Sequence, residues 1–335
     1  RRMSDMLALA ESNLLSPMVL FFALGFIAAA VRSDLHFPEA VAKALSLYLL
    51  AAIGFKGGVI VAESGIDAKM MATIGAGIFL SALIPFIAFQ LLRALSSLPR
   101  IDVAAVAAHY GSISIVTFVA ATSALTTLGI SSEGYLVAVA AVMESPAIIA
   151  ALILARGKSK DATSAPDPSN GFNTELVREV LLNGSIVLLT GAFIIGWITG
   201  PDGMAQVSSF IVDPFKGVLC LFLLDMGLIA GRGIRQSAHE LKPGVIFFGL
   251  IMPPIGAAIA LAAGIVIDLD IGSTALLMTL AASASYIAVP AAMRVALPEA
   301  RPEIYLTLSL GITFPFNLTV GIPLYVWAAE TILGG

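Results

Sequence analysis

Apolar runs long enough to cross a bilayer follow one another along nearly the whole of this chain. They lie at roughly 14–31, 37–62, 70–92, 103–128, 134–155, 183–199, 206–230, 243–267, 272–297 and 303–332. A hydrocarbon core about 30 Å thick is spanned by about 20 apolar residues of helix. Charged residues make up only 12% of the 335, against about 25% in ordinary soluble domains. The chain is therefore expected to be an all-α polytopic membrane protein with ten transmembrane helices. Turn-like, charged stretches separate the runs, such as Arg32-Ser33-Asp34, Ser131-Ser132-Glu133 and Asp268-Leu269-Asp270. No cleavable leader is expected, because the first run lacks a basic segment before it and a small-residue cleavage site after it. The Arg1-Arg2 start reads as a trimmed one.

Lys and Arg fix the expected orientation. The loops after odd-numbered spans, with the span ends beside them, hold Arg32, Arg93, Arg100, Arg156, Lys158, Lys160, Arg178, Arg232, Arg235, Lys242, Arg294 and Arg301, which is 12 residues. The opposite side holds Arg1, Arg2 and Lys69, which is 3. Odd loops are thus expected in the cytoplasm of a bacterial cell, and both termini on the periplasmic side of its inner membrane. The Lys-, Ser-, Asp- and Pro-rich gap after span 5, followed by a short interfacial helix over 172–182, divides the chain into 1–155, 156–182 and 183–335.

Two spans are interrupted by small hydroxyl residues. Span 4 reads His109-Tyr110-Gly111-Ser112-Ile113-Ser114-Ile115-Val116-Thr117, and span 9 reads Ser283-Ala284-Ser285-Tyr286-Ile287-Ala288-Val289-Pro290. Freed backbone is costly in lipid and survives where it lines a protected cavity. Two such segments at matching places in two halves point to a transporter's binding site. The halves echo each other at an offset of about 169, with Glu144-Ser145-Pro146 against Thr313-Phe314-Pro315 and Lys56-Gly57-Gly58 against Asp225-Met226-Gly227. Five spans per half is an odd number, so the second half enters the bilayer upside down. A 5+5 inverted repeat with two broken, crossing helices is expected.

Half-helix N-termini carry free N–H groups and a positive dipole end, so the natural guest is an anion. Gly111, Ser112, Ser114, Thr117, Ser283, Ser285 and Tyr286 are the expected anion-binding set. Glu144, mid-span and two residues before Pro146, is an expensive intramembrane carboxylate that needs a partner or a cavity. With Thr313, Ser114 and Ser283 it would supply hard oxygen ligands suited to Na⁺. His109, Lys56 and Asp225 are candidate gate or proton sites, and snorkelling is an alternative for Lys56. Cys220 is alone in an apolar run and carries no disulfide framework. No basic stripe suggests nucleic acid. No nucleophile elbow, metal cluster or phosphate loop suggests an enzyme or a resident cofactor.

The chain resembles the sodium-dependent bicarbonate transporters of the SbtA family over essentially its whole length. The resemblance is carried by Leu15-Ser16-Pro17, Ile53-Gly54-Phe55-Lys56-Gly57-Gly58, Gly111-x-x-Ser114-x-x-Thr117, Glu144-Ser145-Pro146, Ala281-Ala282-Ser283-Ala284-Ser285 with Pro290, and Gly321-Ile322-Pro323-Leu324. It implies a homotrimer in which the broken helices hold bicarbonate and Na⁺ in a core that moves, elevator-fashion, against a scaffold of spans 1, 2, 6 and 7. It also implies a PII-like regulator on the cytoplasmic side. This chain departs from the family's better-known members by having Tyr286 and Glu144 where they carry Asp, and Ile115-Val116 where they carry Gly-Ser. Na⁺-coupled symport of bicarbonate or a similar monoanion is the expected function. A proton-coupled carrier of another small anion or carboxylate, or a receptor that binds such an anion without moving it, are the alternatives.

Overall fold

The computed structural model describes residues 15–156, 184–236, 242–286, 289–290, 293 and 297–334, and its regular structure over these residues is entirely helical. Helix α1 (Pro17–Ala30) starts where the Ser16 hydroxyl accepts from the Val19 amide at 3.4 Å, with a proline in the first turn. It is followed by α2 (Glu39–Ser64) and α3 (Ala68–Leu95). Span 4 is two helices, α4 (Arg100–Gly111) and α5 (Ile115–Leu128). Span 5 is α6 (Leu136–Val142) and α7 (Glu144–Arg156), so Pro146 falls in the first turn of a new helix, where its missing N–H is tolerated. Then come α8 (Gly184–Ile211), α9 (Phe215–Gln236), α10 (Pro243–Ile267) and α11 (Ile271–Ala282). The last helix, α12, spans Pro302–Leu333.

Counting α4–α5 and α6–α7 as one span each, eight segments are long and apolar enough to cross a membrane among the described residues, and α1 and α11 are shorter apolar helices. This is a multi-pass membrane protein. The exposed side chains fit that surroundings: Ile198 (76%) and Val266 (85%) would strand apolar surface in water but face lipid here. The loop and interfacial helix expected over 157–182 lie outside the described residues.

One span is displaced from its expected place. Gly200, at φ 57° and ψ −152°, turns the chain inside α8, and Pro201 follows. Residues 201–211 form a mostly exposed helix beyond the turn, and span 7 is α9 at 215–236 rather than 206–230. Hydropathy merges the two because 204–212 is itself largely apolar. The Tyr48 hydroxyl on α2 holds the detour by donating to the Phe210 carbonyl at 2.5 Å. A second irregularity lies in α12, which widens to π-turns at Thr307–Thr313 and Asn317–Gly321. Pro315 and Pro323 follow these turns and cannot donate back to them.

Two helix pairs pack with their backbones in close approach. Helix α8 lies along α2 so closely that a Cβ on Gly58 would sit 1.9 Å from the Phe193 carbonyl oxygen. Helix α9 lies along α1 in the same manner, with Gly227 against the Phe22 carbonyl. Small residues that let backbones approach are the usual glue of membrane helices. Around the interrupted span 4, α3 packs on α4 and α7, and α10 packs on α11.

Even-numbered and odd-numbered loops gather at opposite ends of the bundle. At one end, here called upper, Lys69 pairs with Asp268 at 3.6 Å and the Ser273 hydroxyl accepts from the Glu133 amide at 2.9 Å. At the lower end, the buried Asp102 accepts from the Arg301 amide at 2.9 Å and from its guanidinium at 2.9 and 3.0 Å. Each of the two half-helices is therefore pinned at its membrane-surface end, α4 below and α11 above.

Candidate functional site

Helix α4 has 12 residues and α11 has 12. At 1.5 Å rise each is about 18 Å long, so the two end near the middle of a hydrocarbon core about 30 Å thick, having entered from opposite ends. At the first stop, Ser112 takes an extended ψ of −173°, and α5 restarts with Ser114 as its cap. The Ser114 hydroxyl accepts from the Thr117 amide at 3.2 Å and from the Thr117 hydroxyl at 2.9 Å. Amides of the first helical turn have no intrahelical acceptor, which leaves Ile115 and Val116 as helix-end donors at mid-depth. Gly111 is required by packing: a Cβ there would sit 2.2 Å from Cγ of Pro85 on α3.

The second stop mirrors the first. Ser283 takes an extended ψ of 164°, and the Ser285 hydroxyl accepts from the Val289 amide at 3.3 Å. The two stops touch. The Ser114 amide donates to the Ser283 hydroxyl at 2.9 Å, and the Ser285 amide donates to the His109 carbonyl at 2.8 Å. All of Ser112, Ser114, Thr117, Ser283 and Ser285 are buried. The expected anion-binding set is thus brought together around one crossing point. Tyr286 adjoins it, its ring edge-on to Phe314 at 5.5 Å and its hydroxyl near Ser114 without a well-formed hydrogen bond.

Glu144 opens α7 and is 8% exposed. It accepts from the Ser112 hydroxyl at 3.1 Å and makes no ion pair among the described residues. A buried carboxylate without a cationic partner requires a mobile cation or a proton to balance it. The helix break ahead of it is held by Ser81 of α3, whose hydroxyl donates to the Met143 carbonyl at 2.5 Å.

Thr313 is fully buried but engaged elsewhere. Its hydroxyl donates to the Gly249 carbonyl at 2.8 Å and meets the Tyr110 hydroxyl at 2.5 Å. Four residues on, Asn317 donates to the Ala282 carbonyl at 2.8 Å and accepts from the Tyr325 hydroxyl at 2.8 Å. Tyr110, Ser81 and Tyr325 were not singled out from the sequence. Burying a hydroxyl without a hydrogen bond is costly, and that cost applied to every intramembrane Tyr and Ser would have flagged them as candidates.

Of the three candidate gate or proton residues, only His109 adjoins the crossing. Its Nδ1 lies 2.6 Å from the Ala105 carbonyl and its ring stacks on Tyr305 at 4.3 Å. Asp225 is buried on α9, with one carboxylate oxygen lacking a hydrogen bond. Lys56 points into a separate space. A cavity of about 720 Å³ opens at the upper end, lined by Lys56, Gly57, Ser123, Glu133, Lys216 and, at its floor, Phe118. Phe118 follows Thr117, so the cavity reaches to within one helical turn of the break.

A family model described as the Na⁺-dependent bicarbonate transporter superfamily matches residues 17–330. No curated protein matches the chain significantly.

Proposed function

The chain belongs to the Na⁺-dependent bicarbonate transporter superfamily, and from that premise we propose that it is a secondary active carrier moving bicarbonate, or a small monoanion like it, into the cell with Na⁺. One observation carries the proposal: two opposed helix breaks joined at mid-membrane by the Ser114 amide and the Ser283 hydroxyl. An oxyanion entering there exchanges that contact for its own, accepting from the Ser114, Ile115 and Val116 amides and from the serine hydroxyls. Glu144 supplies the negative charge that draws the cation, with Ser112 orienting it. Ser114 and Ser283 stand between the two cargoes. Thr313 acts on the cation side through Tyr110, which continues into Gly111 and Ser112.

The matching 12-residue half-helices, each pinned at the surface and each ending in an extended serine, support an inverted repeat. The tight α1–α9 and α2–α8 pairs support a scaffold against which the broken-helix core slides. A homotrimer in a bacterial inner membrane, with periplasmic termini and a cytoplasmic PII-like regulator, completes the proposal. The upper end is then the periplasmic one.

Uptake of labelled bicarbonate into proteoliposomes tests it. An inward Na⁺ gradient should drive accumulation, and replacing Na⁺ by N-methylglucamine should abolish it. Because Glu144 would serve a proton equally well, the runner-up is a proton-coupled carrier. Accumulation that follows a pH gradient and ignores Na⁺ selects that mechanism, and binding without counterflow selects a receptor.

A further inference from the structure

Lys56 belongs to neither helix break, yet it is placed with care. It lies eight residues before the end of α2 at Ser64, about 12 Å along the axis. It is half-buried, its ammonium rests 4.2 Å from the Phe215 ring centroid, and it lines the upper cavity. Lys216 lines the same cavity and is close enough for the two positive charges to repel. Neither makes an ion pair with a carboxylate among the described residues. Two carboxylates line the cavity as well, neither in an ion pair among the described residues: Glu133, near Asp67, Asp270 and Lys69, and the exposed Asp213, near Tyr48. Deeper, Ser123 is 4% exposed and its hydroxyl has no partner. Lys56 lies deeper along its helix than the loop carboxylates, and with Lys216 and the orphaned Ser123 hydroxyl it gives an anion a binding point inside the cavity.

We propose that this cavity is an antechamber with its own anion site, in which Lys56, Lys216 and Ser123 hold a small oxyanion before it descends past Phe118 to the helix breaks. The inference rests on the carrier function proposed above for the identity of the ion, and on the cavity alone for the site. Loading would then be a two-step event, with capture set by charge and commitment set by the serine crossing.

Thr126 is exposed at the cavity wall and serves as a reporter. In a Cys220→Ser background, Thr126→Cys is treated with a negatively charged methanethiosulfonate and with its positively charged analogue. The anionic reagent should react faster, and Lys56→Gln should lower the ratio of the two rates by about tenfold, while Lys56→Arg keeps it. Bicarbonate, exchanged against gluconate at constant ionic strength, should slow the anionic reagent saturably. That protection should vanish in Lys56→Gln and persist in Ser114→Ala. A rate ratio unchanged by Lys56→Gln, or protection lost in Ser114→Ala and kept in Lys56→Gln, overturns the antechamber. Intact Na⁺-driven uptake without protection also removes the antechamber and leaves the carrier standing. Saturable, Lys56-dependent protection in a protein that takes up no bicarbonate upholds the site and removes the carrier.

Discussion

Replacing Glu144 by Gln isolates the role of one charge. The amide keeps the carboxylate's shape and still accepts from Ser112 through its oxygen, the contact seen at 3.1 Å. What disappears is a negative charge that is 8% exposed and lacks a protein cation. Without Na⁺, the wild-type carboxylate bears an uncompensated desolvation cost, and the Gln variant should be more stable by about 2 kcal/mol or more. With Na⁺ at about 100 times its dissociation constant, the wild type gains about 2.7 kcal/mol. At roughly 2 °C per kcal/mol for a chain of this size, that is about 5 °C in Tm. The assay is thermal unfolding of purified protein in Na⁺ against N-methylglucamine at equal ionic strength. The wild type should shift by that amount and the Gln variant should not. A variant that keeps its Na⁺-dependent shift would place the cation elsewhere. A wild type that responds to pH but not to Na⁺ would make Glu144 a proton carrier.

Other consequences follow from the same contacts. Ser283→Ala leaves the buried Ser114 amide without its 2.9 Å acceptor, while the Leu280 carbonyl keeps the Ser283 amide. Unfolding stability should fall by about 1–3 kcal/mol, and bicarbonate uptake should weaken; unchanged values of both would refute a role for the crossing. Gly111→Ala drives a Cβ to within 2.2 Å of Pro85 and 3.0 Å of Ala147. Overpacking should cost about 1–3 kcal/mol, read as a lower Tm, and a neutral result would mean that α3 and α4 separate freely. Glu133, in the upper loop, is held above its ordinary value of 4.5 first by burial, then by Asp270 and Asp67, with Lys69 pulling the other way. A carboxyl with a raised folded pKa favours the folded state most below its unfolded value, and that contribution is lost as pH rises through the folded one. Glu133→Gln should therefore flatten the decline of Tm as pH rises from 4.5; a profile parallel to wild type would refute the raised titration of Glu133.

Much of the architecture is legible in the residue order, for reasons that can be named span by span. Spans such as α3 and α10 announce themselves because transfer into hydrocarbon sums over a local window. The breaks at Ser112–Ser114 and Ser283–Ser285 are visible because polar backbone-freeing residues are rare at that depth. Span 7 lies away from its expected place because apolar content does not reveal direction, and the kink at Gly200 is a matter of one positive φ. The offset to Glu144 points Thr313 toward a cation, while the partners of its hydroxyl, Gly249 and Tyr110, are set by neighbours far away in the chain.

The residue sequence by itself determined that this chain is a multi-pass helical membrane protein, that two of its spans are interrupted by hydroxyl residues, and that a carboxylate lies in mid-span at Glu144. These follow from local composition weighed against lipid. Only the tertiary structure decided that the Ser114 amide meets a hydroxyl 169 residues away, that Glu144 has Ser112 for its donor, and that Lys56 faces a cavity rather than the membrane surface. Hydrogen bonds and charge pairs depend on which surfaces meet. In a helical bundle that is set by close packing across glycines and prolines on different spans, which no window along one span contains.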